Sequence, residues 1–173
     1  MKKLIIDTDP GCDDALAIML AVKSGMFDIM AITTVGGNSG IENTTRNARY
    51  ILNLIGREDI PIYSGEDKPL KREIVRANVH GESGLEGINP KNESYLTGNA
   101  VDQIIRIVHD NPGITIVTLG PLTNIAKAIL KAPEIAEKIE RFVIMGGAIG
   151  VPGNKSRVAE FNMYVDPEAA DIV

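Results

Sequence analysis

The sequence is short of several things, and each shortage closes off a class of protein. A single cysteine, Cys12, excludes an internal disulfide, so nothing calls for an oxidising compartment. The longest purely apolar run, Ala15 to Val22, has eight residues. A membrane-spanning helix needs about 20. Basic charge is not in excess: 18 Lys+Arg against 23 Asp+Glu leave −5 at pH 7, and the basic residues are scattered. Recognition of a nucleic-acid polymer through phosphate charge is therefore not expected. Repeats and low-complexity tracts are absent, and 17 glycines with 9 prolines give no collagen-like or linker-like bias. Met1-Lys2-Lys3-Leu4-Ile5-Ile6 has the basic-then-apolar pattern that begins a signal peptide. Asp7, Asp9, Asp13 and Asp14 then interrupt the apolar region, so a soluble, cytoplasmic protein is expected.

What is present is an ordinary globular composition. Of 173 residues, 44% are hydrophobic and 24% charged, which predicts one domain over 1–173 with a real core. Leu4-Ile5-Ile6 and Asp28 to Val35 read as buried strands, with Gly36-Gly37-Asn38 breaking the second. Asp13 to Lys23 reads as a helix apolar on all sides and hence buried. Residues 41–55 and 98–109 read as amphipathic helices, Pro61 to Tyr63 as a short strand. Ile114 to Leu119 is a strand, Leu122 to Leu130 a helix, Phe142 to Met145 a strand. Between them, residues 64–96 are polar and irregular, a length that is usually functional. Glu134, Glu137 and Glu140 read as a solvated helix face, and His109 as a dipole partner at a helix end. Asp166, Pro167 and Glu168 announce one more helix, which has no stop signal before Val173. Alternating strands and helices predict an α/β fold, a mostly parallel open sheet with helices on both faces and a Rossmann-like core. Ligands in such sheets bind beyond the carboxyl ends of the strands.

One cluster sits at such a place. Asp7-Thr8-Asp9-Pro10-Gly11-Cys12-Asp13-Asp14 puts four carboxylates within eight residues, after a buried strand and at a helix start. Acids suit a helix N-terminus, but capping does not need four. Converging carboxylates repel and call for a bound cation or raised pKa values. Oxygen ligands suit Ca²⁺ or Mg²⁺. Cys12 among carboxylates is a poor nucleophile, because they raise a thiol pKa.

Asp7 to Ala15 resembles the N-terminal signature of the inosine–uridine-preferring nucleoside hydrolases. Further stretches are similar to that family in order: Val35-Gly36-Gly37-Asn38, His80 to Gly87, Leu119-Gly120-Pro121-Leu122-Thr123-Asn124, Met145-Gly146-Gly147, Glu160-Phe161-Asn162, and Asp166 to Ala170. The resemblance implies hydrolysis of the N-glycosidic bond of ribonucleosides to ribose and free base, with a Ca²⁺ ion holding the nucleophilic water and the ribose 2′- and 3′-hydroxyls. It implies that Asp9 is metal ligand and general base, and that Asp14 and the Leu119 backbone carbonyl also bind the metal. Asp13, Asn38, Asn154, Glu160 and Asn162 are then sugar-binding, Met145 lines the apolar face of the sugar, His80 touches the base or the 5′ side, and Asp7 orients from behind.

Members of this family are commonly much longer. Their final portion supplies a further Asp ligand and, in many, a histidine that protonates the leaving base. The resemblance therefore implies a domain incomplete at its C-terminus, weakly active or inactive by itself. A sheet edge or apolar patch left exposed favours a homo-oligomer. Two alternatives share the acidic cluster. One is a non-catalytic calcium- or ribose-binding remnant. The other is phosphoryl transfer of the haloacid-dehalogenase kind, where Asp-x-Asp also follows the first strand; Pro10-Gly11 and Asp13-Asp14 are unusual for it.

Overall fold

A computed structural model describes residues 1–77, 81, 83–88, 90 and 98–173. Five strands form one sheet among these residues: β1 (Lys2–Thr8), β2 (Phe27–Thr34), β3 (Ile62–Ser64), β4 (Ile114–Thr118) and β5 (Ile139–Ile144). Their order is β3-β2-β1-β4-β5, and every pairing is parallel. The open, parallel α/β architecture expected from the alternating pattern is what forms.

The period of the strands decides the two layers. Leu4 and Ile6 point to one face of β1, where they pack with α1 (Cys12–Lys23) and α2 (Ile41–Leu54) through Ile18, Val22, Ile51 and Leu52. Ile5 points to the other, against α3 (Ala100–Asp110) and α4 (Thr123–Lys131) through Ile104, Val108 and Ile125. Strands buried on both faces read as continuous apolar runs, which is why Leu4-Ile5-Ile6 shows no alternation. Two short helices, α5 (Phe161–Val165) and α6 (Pro167–Ile172), end the chain. As its sequence announces, Asp166 caps α6, accepting from the Ala169 amide at 3.0 Å.

Three local expectations need correction. Helix α1 is not buried all round: Leu16 and Leu20 are 68% and 73% exposed, because only the stripe of Asp14, Ala15, Ile18 and Val22 meets the core. Glu134 and Glu137 lie on a 3₁₀ turn over 133–138, and Glu140 lies on β5, so the three are solvated but share no helix face. The last strand begins at Ile139, three residues before the apolar Phe142 that signalled it. His109 does sit in the last turn of α3, where Glu134 Oε1 and Lys138 Nζ lie 3.1 and 2.7 Å from its ring nitrogens.

The strand order places β1 centrally, with β2 and β4 departing to either side. Neighbouring connections therefore diverge at the carboxyl end of β1, the crevice where open α/β sheets bind ligands.

Candidate active site

The segments after β1, β2, β4 and β5 converge on a cleft of about 360 Å³. Asp13, Asp14, Asn38, Leu119, Met145, Asn154, Glu160 and Asn162 all line it, although they span 150 residues of sequence numbering. Asp9 stands behind this lining, 1% exposed. His80 lies outside the described residues. Ala77, Lys155 and Phe161 also line the cleft and were not singled out in the sequence. Phe161 had a signal, since it stands between Glu160 and Asn162; Ala77 and Lys155 had none.

Asp9 is gripped rather than merely buried. Its Oδ2 accepts from the Asn38 amide at 2.7 Å, and the Asn38 side chain donates to the Asp9 carbonyl at 3.0 Å. A Cβ on Gly37 would lie 2.1 Å from Asp9 Oδ2, and one on Gly120 would lie 2.6 Å from Oδ1. Only glycine permits either approach, so the Gly-Gly of one turn and the glycine of another form a slot for one carboxylate. Within that slot Oδ1 is buried without a hydrogen-bond partner.

Asp14 is held by Thr8 Oγ1 on Oδ1 at 2.7 Å and by the Gly11 amide on Oδ2 at 3.0 Å. Behind both lies Asp7, wholly buried, whose Oδ1 accepts from Thr33 Oγ1 at 2.5 Å and Asn124 Nδ2 at 2.8 Å. Desolvation dominates all three. It pushes Asp7 up to about 7 against the pull of its two hydrogen bonds, and Asp14 up to about 6. It raises Asp9 well above the usual carboxylate range, with the charge of Asp14 adding to the effect. Three acids with raised proton affinity, at the end of β1, in the turn after it and in the first turn of α1, are a poor device for stability and a good one for chemistry.

The donors suit an oxygen-ligated cation. Asp9, with its unpartnered Oδ1, feels the charge of Asp14, and Asp14 and Leu119 line the same cleft; a cation there would relieve the mutual repulsion of the acids. Among the described residues no three His, Cys, Asp or Glu side chains form a metal cluster. The set is two carboxylates and one carbonyl, an open site. Ca²⁺ takes roughly six to eight oxygens, so these groups could hold it only with further oxygens from outside the set.

The opposite wall is built on backbone contacts. Glu160 caps α5, its carboxylate accepting from the amides of Asn162, Met163 and Gly147. Asn162 Nδ2 donates to the Leu119 carbonyl at 2.8 Å and to the Met145 carbonyl at 3.1 Å, fixing the ends of β4 and β5 relative to each other. Asn154 Oδ1 accepts from the Phe161 amide at 2.8 Å. The Gly146-Gly147 turn, with positive φ at both, lets the chain double back from Met145 toward Glu160.

An inosine-uridine preferring nucleoside hydrolase family model matches residues 4–173. The chain belongs to this family. Against the pyrimidine-specific ribonucleoside hydrolase RihA of Citrobacter koseri the chain is 48% identical, covering 98% of its own length and 55% of that protein. It is 50% identical to an uncharacterized protein of Schizosaccharomyces pombe, over 99% of the chain and 57% of the relative. The plant nucleoside hydrolase PpNRh1 superposes with a TM-score of 0.93 at 45% identity, over 99% of this chain and 56% of that one. A purine-preferring ribonucleoside hydrolase from Gardnerella vaginalis gives 0.93 at 37% identity, over 99% and 57%. The chain thus spans a little over half the length of the relatives it matches.

Proposed function

We propose that the protein hydrolyses the N-glycosidic bond of ribonucleosides, with Asp9 as general base. The observation that carries this is the Asp9 carboxylate: buried, raised in proton affinity, fixed through Oδ2, and with Oδ1 unpartnered. A general base must be placed within hydrogen-bond reach of the proton it takes and tuned toward the working pH. Held between Gly37 and Gly120, this one has a single orientation open to it.

In the proposed reaction a water oxygen bonds to the anomeric carbon as the carbon–nitrogen bond breaks. The bonding pair leaves with the nucleobase, which takes up a proton from solvent, and a proton of the attacking water passes to Asp9. The transition state is oxocarbenium-like, and its positive sugar is stabilised by the carboxylates beneath it. Asp13, Asn38, Asn154, Glu160 and Asn162 orient the sugar, and Met145 meets its apolar face; positioning of this kind is among the larger contributions a rigid site makes. Ca²⁺, held by Asp9, Asp14 and the Leu119 carbonyl, supplies Lewis acidity toward a water and toward vicinal hydroxyls when bound. Ribose is then preferred over 2′-deoxyribose, which leaves an oxygen position empty.

The named relatives include a pyrimidine-specific and a purine-preferring enzyme, so both base classes belong in the test. Ribose release is measured from inosine and uridine, with Ca²⁺ and with chelator, on this chain and on Asp9→Ala. The expected result is weak Ca²⁺-dependent release that the substitution abolishes. Release that persists in Asp9→Ala removes the base from the mechanism. Ca²⁺ binding without any release leaves a non-catalytic binding module.

A further inference from the structure

We propose that Arg76, held by Asp67, is a positioning residue for Asp9, acting through the turn that carries Asn38. The inference rests on the assignment of Asp9 as general base and extends it to a residue outside every motif of the site.

The turn over residues 36–39 makes two hydrogen bonds with Asp9, both through Asn38. On its own it is poorly determined, because it begins with two glycines. Its conformation is imposed from outside, at both ends, by the segment that follows β3. At one end the Gly36 amide donates to the Glu66 carbonyl at 2.7 Å. At the other, Arg76 Nη1 donates to the Ser39 carbonyl at 2.7 Å, an acceptor that also takes the Gly37 amide at 3.1 Å. Asn38 is thus enclosed between two residues tied to a single carbonyl oxygen, and Arg76 holds that oxygen.

Arg76 is itself held in place. Its Nη2 donates to Asp67 Oδ1 at 2.6 Å and to the Asp67 carbonyl at 3.3 Å. Asp67 Oδ1 also accepts from the Ile41 amide at 2.9 Å, supplying the cap that Gly40 has no side chain to give α2. A Cβ on Gly36 would lie 2.7 Å from Arg76 Nη1 and 2.7 Å from the Asp67 carbonyl. The first glycine of the pair is therefore explained by the guanidinium laid against it, as the second is explained by Asp9.

The planar fork of arginine reaches two acceptors in fixed geometry, which one ammonium group does not. The charges that act most on Asp9 are those of Asp14 and Asp7. The guanidinium works through the turn rather than through its field.

The test uses the 173-residue chain labelled with ¹⁵N, as wild type, Arg76→Ala, Arg76→Lys and Asp67→Asn. Amide exchange is followed at Asn38 and Gly37, with the Leu119 amide, bonded to the Asp7 carbonyl at 2.8 Å, as control. Arg76→Ala is expected to speed exchange at Asn38 and Gly37 by about tenfold or more and to leave Leu119 unchanged. Arg76→Lys recovers part of the protection, and Asp67→Asn loses part of it. Calorimetric titration with Ca²⁺ alone should show affinity about tenfold weaker in Arg76→Ala, following the displaced Asp9. Asn38 protection within about twofold of wild type in Arg76→Ala overturns the proposal, as does equal acceleration at Leu119, which marks general destabilisation. If the wild type binds no Ca²⁺ while Asn38 protection still depends on Arg76, the brace stands and the calcium-dependent reading falls.

Discussion

Asn124→Ala removes one buried amide that joins three parts of the fold. Asn124 Nδ2 donates to Asp7 Oδ1 at 2.8 Å and to the Thr34 carbonyl at 2.9 Å, and its Oδ1 accepts from the Glu66 amide at 2.9 Å. Truncation does not treat the three partners alike. Asp7 Oδ1 keeps Thr33, and the Thr34 carbonyl keeps the Gly65 amide. The Glu66 amide has no other hydrogen bond described, so it is left without an acceptor unless water enters. One orphaned donor costs about 1–3 kcal/mol, and two weakened acceptors about 0.5–1.5 kcal/mol each. A loss of about 3–4 kcal/mol is expected, a large part of the 5–15 kcal/mol that holds a typical domain. With a urea m-value of about 2 kcal/mol/M, the unfolding midpoint should fall by about 1.5–2 M at constant m. Asn124→Asp is the companion variant. It keeps an acceptor for Glu66 but sets a second carboxyl against Asp7, so its deficit should be larger at pH 8 than at pH 5. A loss below about 1 kcal/mol for Asn124→Ala at unchanged m refutes the reasoning, because the three bonds would then be replaceable.

Three further outcomes are expected. Burial raises the Asp7 carboxyl to about 7 and Asp14 to about 6, and raises Asp9 too, so the folded chain holds protons that the unfolded chain releases from about pH 4 upward. Metal-free stability is greatest below that range and is lost as pH rises through about 7, Asp7 alone contributing on the order of 4 kcal/mol. Urea midpoints in chelator should therefore be higher at pH 5.5 than at pH 8, and millimolar Ca²⁺, which needs ionised carboxylates, should reverse the order; a chelator midpoint that rises with pH contradicts this. Gly120→Ala puts a methyl group 2.6 Å from Asp9 Oδ1, so Ca²⁺ affinity by calorimetry should drop about tenfold or more, and an unchanged affinity removes Asp9 from the ligand set. Finally, β5 carries no partner on its outer edge among the described residues, with Val143 and Ile144 exposed. Sedimentation at rising concentration should show self-association, and a clean monomer throughout counts against it.

How far sequence reaches is clearest at Asp9 and Arg76. Nearest-neighbour chemistry makes the acidic loop conspicuous, because four carboxylates after a buried strand have no structural excuse. Apolar runs bounded by glycine and proline give the alternation of strands and helices, and hence a parallel sheet with its site at the strand ends. Helix α1 misleads for the same reason that the strands succeed. Composition reports that Leu16 and Leu20 are apolar, but which stripe faces the sheet depends on how the helix is rolled against β1 and α2.

Sequence by itself determined the kind of side chain and its place: carboxylates gathered at the carboxyl ends of parallel strands. Tertiary structure alone decided which acid is poised and what holds it. Asp9 has its unpartnered oxygen because Gly37 and Gly120, 83 positions apart, close on it from two loops. Arg76 matters because its segment crosses the Gly36–Ser39 turn, a contact between stretches whose residue types carry no mark of each other. Local preference is written into short stretches of chain. Burial, desolvation and the sharing of one acceptor by two distant donors exist only once the chain has brought those stretches together.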